Sequence, residues 1–431
     1  MKSAKILWLS AAMLIMADFS FAQTWTQTGA PVTNWQAVAC SANGTTLVGV
    51  AIAYGTNMFS NLVREPGPVY ISTNSGATWT QSSGMSDVWN SVACSADGTK
   101  MAAIAGFDGI YISTNSGSTW FLAGLSTHQF FWDSLAISAD GTKWLAGGDD
   151  NGVYFSTNSG VSWTMVIAPI GYSTYWTSVA ASADGNKWIV AGNEFTNENF
   201  AEGFVYTSVD SGATWTLQTN APNVQWSSVT SSVGGNKLVA TTQVTTVFSK
   251  GALDSEVIYG STDAGSNWTQ INMPYSGGWG KFFLSADGNK MAVASDFPVL
   301  GPPPQIQRYG QIYRSSDSGA IWLPIGAPAG DTNYCYVMAS SADGNELVAT
   351  ANGAIYTWQT TSSPQLNLAA SSSNLALSWT IPSTNFVLQQ SADLVSWSNV
   401  TDPPVLNFAT LQNQVAVTPT NAAAFYRLST P

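Results

Sequence analysis

Glutamate is scarce in this chain, and where it falls is the first chemical signal. Five of the six, Glu65, Glu194, Glu198, Glu202 and Glu256, lie in a few short segments that also hold Asp254, Arg64 and Arg308. Two carboxylates about 5 to 10 Å apart can serve as acid and base on a glycosidic bond. The same carboxylates with arginine can instead grip a polar ligand without chemistry. A second set is aromatic: Trp35, Trp89, Trp132, Trp176, Trp226 and Trp279 each stand six residues before a serine of a recurrent turn. A flat indole can stack on the apolar face of a sugar, and an indole repeated this regularly can equally be a packing wedge. Other chemistry is poorly supplied. His128 is the only histidine and the cysteines are Cys40, Cys94 and Cys335, too few for a Ser-His-Asp relay or a zinc site. Asp149-Asp150-Asn151-Gly152 reads as a hairpin turn rather than a calcium loop. No cofactor or metal motif is present.

These residues are positioned by internal repetition. The pattern Ser-x-Asp/Asn-x-Gly-x-x-Trp occurs at Ser72–Trp79, Ser113–Trp120, Ser156–Trp163, Ser208–Trp215, Ser261–Trp268 and Ser315–Trp322. A second pattern, of Ser-Ala-Asp-Gly type, begins at Ser41, Ser95, Ser138, Ser182, Ser232, Ser285 and Ser341. Between these marks run short alternating or apolar stretches, which predict four antiparallel strands per unit, a to d. Such units build propeller blades. Seven turns against six boxes leave one blade short of its fourth strand. Trp25-Thr26-Gln27 repeats Trp79-Thr80-Gln81 and can supply it. The expected fold class is therefore all-β: a seven-bladed β-propeller over 23–361, closed by the N-terminal strand.

Strand order then assigns the faces. The a-b turns and the boxes share one face, the bottom, and the b-c and d-a connections share the top. Serine-to-serine spacing from turn to box is 18 in the second and third units and 26 to 31 in the others, so the extra length, with its glutamates, falls on top. Five of the nine lysines instead follow the bottom turns, at Lys100, Lys143, Lys187, Lys237 and Lys290.

The boxes resemble the Asp-box, or BNR, repeats of sialidases, xyloglucanases, sortilin-type receptors and photosystem II assembly factors. The resemblance covers residues 23 to about 361 and implies the propeller fold rather than one activity, because those families do unrelated things. It implies a sialidase only if three arginines can clamp a carboxylate. Arg64 and Arg308 belong to the top and Arg314 to the bottom, so that clamp cannot assemble.

Residues 362–431 follow a linker, Thr360 to Pro364, and read as short strands of a small β-sandwich, similar to the fibronectin type III-like modules on secreted bacterial proteins. At the other end, Lys2 and Lys5, an apolar stretch from Ile6 to Ala17 and Ser20-Phe21-Ala22 read as a signal peptide over 1–22. That predicts a secreted, periplasmic or cell-surface protein, and no other stretch is long enough for a membrane span. Charged residues make up 9% with a net charge of −12, a balance that excludes a nucleic-acid partner. Three cysteines do not make a disulfide framework. The expectation is a monomeric, non-enzymatic binding or scaffold propeller that recognises a protein or glycan on its top face. The alternative is a glycoside hydrolase or lyase using the insert carboxylates.

Overall fold

The computed structural model describes residues 25–56, 62–106, 108–123, 131–149, 152–167, 174–195, 201–242, 257–273, 278–300, 306–326, 328, 337–360, 366–371, 374–381, 386–417 and 425–429. They form antiparallel sheets, most of four strands, and among them there is no helix. In the second repeat, Trp89–Cys94, Met101–Ala105, Gly109–Ser113 and Phe121–Leu122 pair in chain order. The sheets of the third and fourth repeats are joined by one bridge, Asp149 to Tyr175. Strand Thr26–Gln27 pairs antiparallel with Thr357 and Tyr356 of strand Ala354–Gln359.

The turns explain the repeats. In Ser95-Ala96-Asp97-Gly98, Ser95 Oγ donates to Asp97 Oδ1 at 2.6 Å, and Asp97 Oδ1 also accepts from Thr99 N at 2.9 Å. Gly98 has φ 75°, a conformation that costs glycine little. The box is a second side-chain cage. Gly117 N donates to Ser113 Oγ at 2.9 Å, Thr119 N to Asn115 Oδ1 at 2.9 Å, and Trp120 Nε1 to Gly117 O at 3.1 Å. Ser116 N then donates to Thr99 O at 2.8 Å, so turn and box lie side by side at one end of the sheet.

The turns also bond to one another around a circle. Ala42 N donates to Ala96 O, Ala96 to Ala139, Ala139 to Ala183, Ala183 to Val233, Val233 to Ala286, Ala286 to Ala342, and Ala342 N back to Ala42 O, at 2.7 to 3.0 Å. All members of this circuit lie within the described residues. Apolar clusters follow the same order, each built from two consecutive sheets. Val48, Val69 and Ile71 of the first repeat pack with Trp89, Met101 and Ala103 of the second, and Ala292 and Ile312 pack with Met338, Leu347 and Trp358 across a later junction. The core is thus the set of junctions between sheets, as a propeller requires.

Beyond the ring, Asn367–Ser371, Asn374–Thr380, Gln412–Val417 and Val405–Asn407 form one sheet, and Val387–Ser391, Ser398–Asn399 and Phe425–Ser429 a second. Leu377, Trp379, Val415 and Val417 of the first share a core with Leu388 of the second. This part carries a box of its own. Ser391 Oγ donates to Asp393 Oδ1, Ser396 N donates to Asp393 Oδ1, and Trp397 Nε1 donates to Leu394 O, the same cage shortened by one residue.

The boxes divide by chemistry. The acceptor is Asn74, Asn115 or Asn158 in the first three and Asp210, Asp263 or Asp317 in the next three. Hydrogen bonds from Thr214, Asn267 and Ile321 hold the three carboxyls below the usual aspartate range. A folded-state pKa below the unfolded value near 3.8 contributes stability present above that pH and lost as the pH falls through the folded value. Acidification below about pH 4 is therefore expected to lower the protection of the Thr214, Asn267 and Ile321 amides, measured against the intrinsic exchange rate at each pH, before that of Thr78, Thr119 and Ser162. A uniform loss of protection at all six amides would show that the boxes do not set the acid response.

Candidate binding face

The bottom face spends its polar groups internally. Lys100 Nζ donates to Asp140 O at 3.0 Å and to Ser159 Oγ at 3.1 Å, each in the next repeat. Lys143 does the same to Asp184 O and Ser211 Oγ at 3.2 and 3.0 Å, Lys187 to Gly234 O and Asn236 Oδ1, Lys237 to Asn289 Oδ1 and Ser318 Oγ, and Lys290 to Asp343 O and Asn345 Oδ1. Each lysine follows the strand b side of its own turn and ties that turn to its neighbour. These cations are struts, and the charged groups the bottom leaves exposed are aspartates such as Asp210, Asp263 and Asp317.

The opposite ends of the sheets carry the long hairpins. Strand Leu47–Thr56 extends beyond its partner Gly67–Ser72 to pair with Leu62–Glu65. Trp188–Phe195 pairs along its whole length with Ala201–Ser208, and Met291–Leu300 with Ile306–Ser315. In the first of these, Arg64 Nη1 donates to Asn90 Oδ1 at 2.9 Å and Nη2 to Gln36 Oε1 at 3.1 Å and to Trp89 O, so Arg64 pins the hairpin across the mouth of two repeats. In the second, Glu194 and Glu202 are direct cross-strand partners. Glu65 is exposed, with its carboxylate lying over Gly55. Glu198, Asp254 and Glu256 lie outside the described residues, as do the side chains of Glu202, Arg308 and Trp279, and His128, Cys335 and the expected signal peptide.

The aromatic ring expected near the top is internal, a correction to its reading as a ligand platform. Trp35 is 6% exposed, Trp132 1%, and Trp89, Trp176 and Trp226 0%. Each sits edge-to-face with a strand c tyrosine, Trp35 with Tyr70, Trp89 with Tyr111, Trp132 with Tyr154, Trp176 with Tyr206 and Trp226 with Tyr259, at 5.4 to 6.1 Å between centroids. The indoles are wedges between sheets, and no face is left for a sugar.

What reaches the mouth is the next residue. The register breaks between Trp35 and Ala37, Trp89 and Ser91, Trp132 and Ser134, and Trp226 and Ser228. Each break is a β-bulge that turns one extra side chain out of the ladder. Those side chains are Gln36, Asn90, Asp133 and Ser227, all polar and half-buried, and Thr177 follows Trp176 in a similar break. The sequence signal was a polar residue after five of the six strand a tryptophans, all but Trp279, which the regularity of the tryptophans masked.

At the bottom, the ends of the inner strands enclose a cavity of about 220 Å³ lined by Cys40, Cys94, Ile137 and Leu284, with Leu411 from the C-terminal sheets at its rim. Burial pushes the Cys94 thiol up to about 12 and raises Cys40 as well, so both stay protonated at neutral pH and unreactive as nucleophiles. Among the described residues no group of three or more His, Cys, Asp or Glu gathers to hold a metal, and no helix is long and apolar enough to cross a membrane.

No family model and no curated protein sequence matches the chain. Solved structures do. YCF48 bound to a D1 peptide aligns at TM-score 0.53 and 14% identity, over 79% of this chain and 97% of that one. Kuenenia stuttgartiensis hydrazine synthase aligns at TM-score 0.52 and 12% identity, over 78% and 98%. The GH74 enzyme of Niastella koreensis aligns at TM-score 0.45 and 16% identity, over 81% and 70%. At these identities the likeness is one of fold, and the chain has an all-β propeller fold.

Proposed function

We propose that this protein is a secreted, non-enzymatic binding or scaffold protein. Its Asp-box repeats form a seven-bladed propeller over 23–361 closed by the N-terminal strand, and a β-sandwich module of fibronectin type III-like character occupies 362–431. It takes a protein or glycan ligand on the top face as a monomer. Support for the blade count comes from the closed circuit of turn hydrogen bonds and from the pairing of Thr26–Gln27 with Ala354–Gln359. The observation that carries the function is the contrast between faces. The bottom lysines are committed to neighbouring turns, whereas the top has extended hairpins that carry Glu65 and Glu194, and a polar rim of bulged residues. Buried tryptophans favour a peptide over a stacked sugar, and YCF48, of the same fold, is seen with a peptide.

Peptide and glycan arrays probed with the full chain test this reading. Bound ligand is expected to be lost at least tenfold in Glu65→Gln/Glu194→Gln and retained in Val161→Ser, an exposed side chain of the third box on the bottom face. Equal binding by all three proteins would overturn the top-face site. The backbone register that sets Glu194 opposite Glu202 favours a second reading, a glycoside hydrolase or lyase, whose chemistry needs two carboxylates on one face. Release of reducing sugar from a polysaccharide, abolished by Glu194→Gln, would replace the binding reading with this one.

A further inference from the structure

Of the seven junctions between neighbouring turns five are bridged by lysine; the first-to-second junction has Thr46 in that place, its Oγ1 over Gly98, and the last-to-first junction alone has an acid. Five residues after the turn serine stand Lys100, Lys143, Lys187, Lys237 and Lys290, but after Ser341 the same place is held by Glu346. It is 3% exposed, and its Oε2 is buried with no hydrogen-bond partner. Its position is that of its sisters. A Cβ built on Gly141 would meet Lys100 Cδ at 2.6 Å, one on Gly185 would meet Lys143 Cδ at 2.8 Å, and one on Gly44 would meet Glu346 Oε2 at 2.2 Å. Lysine Cδ and glutamate Oε2 therefore lie over the same spot of the turn glycine. Lysine Nζ lies two bonds further on, so a cation touching Oε2 stands where the ammonium stands.

The oxygens around that point are known from the sister junctions. The ammonium is accepted by the carbonyl two residues after the turn serine, as with Asp140 O at 3.0 Å and Asp343 O at 2.9 Å, by the side chain two residues later, as with Asn345 Oδ1 at 2.6 Å, and by the box serine, as with Ser159 Oγ at 3.1 Å. In the first repeat the equivalent groups are Asn43 O, Thr45 Oγ1 and Ser75 Oγ. Ser75 N donates to Thr45 O at 2.9 Å, as Ser159 N does to Thr142 O, so turn and box keep the sister arrangement here. We propose that the junction between the last and first repeats binds a monovalent metal cation of ammonium size, potassium among the common ions, between Glu346 and the oxygens of Asn43, Thr45 and Ser75. One carboxylate and neutral oxygens match a single positive charge, whereas calcium sites draw on several carboxylates at 2.3–2.6 Å. Among the described residues the influences on Glu346 are burial and then Asp343. Both oppose its ionisation and push it up to about 8, the situation that a bound cation reverses. The ion supplies at this junction the positive charge that lysine supplies at five others.

Thermal unfolding of the full chain in potassium, sodium, calcium and choline chloride at matched ionic strength reads this out. Potassium is expected to raise Tm by roughly 2 °C or more over choline, by mass action on the folded state. Glu346→Lys, which installs the sister ammonium, is expected to lose that increment and to unfold in choline near the wild-type temperature in potassium. Glu346→Gln should also lose the increment. A wild type that unfolds identically in potassium and choline, an increment that persists in Glu346→Lys, or a gain confined to sodium or calcium would each overturn the assignment. If Glu346→Gln does not fold, Glu346→Lys carries the test alone.

Discussion

A chain truncated to begin at Pro31 is expected to self-associate and to lose most of the stability of its last sheet. Strand Ala354–Gln359 has Thr26–Gln27 as its partner on one side, with Thr28 N donating to Ile355 O at 2.9 Å. Trp25 packs into the junction cluster against Trp358, 6.5 Å between centroids, and its Nε1 donates to Gly326 O at 3.1 Å. Removing the segment deletes a half-buried indole contact, worth roughly 1–3 kcal/mol, and several backbone hydrogen bonds at roughly 1 kcal/mol each. It also bares the edge of Ala354–Gln359, and bare edges pair with other chains. Size-exclusion chromatography should show dimers and larger species, and a synthetic peptide spanning Gln23–Ala30 should restore the wild-type elution by adding the strand back in trans. A truncated protein that elutes and unfolds like the full chain would mean that the N-terminal strand closes nothing.

That expectation was legible in the sequence because Trp25-Thr26-Gln27 repeats a fourth strand whose first three are missing. Repetition likewise exposed the turns, the boxes and the two faces, since each depends on a short local pattern of Ser, Asp or Asn, Gly and Trp whose hydrogen bonds close within a few residues. What repetition hid was departure from itself. Glu346 stood in plain sight as the acid in a series of lysines, yet its meaning lies in the neighbouring turn it leans on, which spacing does not reveal. The Ser391–Trp397 box escaped because it is one residue short and therefore breaks the Ser-to-Trp spacing while keeping the cage. For Trp35, Trp89, Trp132, Trp176 and Trp226 the sequence left a platform and a wedge open, and burial selects the wedge. A bulge after each one turns the polar neighbour to the mouth and the indole inward, and spacing alone does not say which of the two residues faces out.

Replacing one of those wedges should be the most damaging point substitution in the ring. Trp89 is fully buried at the first junction, where it meets Val48, Val69 and Ile71 on one side and Met101 and Ala103 on the other, with Tyr111 edge-on at 5.4 Å. Trp89→Ala removes the transfer energy of the indole and leaves a cavity bounded by two sheets that cannot close on it without breaking the turn circuit. The expected cost is about 3–5 kcal/mol in denaturant unfolding. Phenylalanine separates packing from polarity. Trp89 Nε1 donates to Gly67 O at 2.6 Å, so Trp89→Phe also strands that carbonyl, whereas Trp132 Nε1 is buried without a partner and Trp132→Phe strands nothing. Trp89→Phe should therefore cost about 1–3 kcal/mol more than Trp132→Phe. Equal costs would show that the Gly67 hydrogen bond adds nothing, and a cost below about 1 kcal/mol for Trp89→Ala would show that the junctions are not the core.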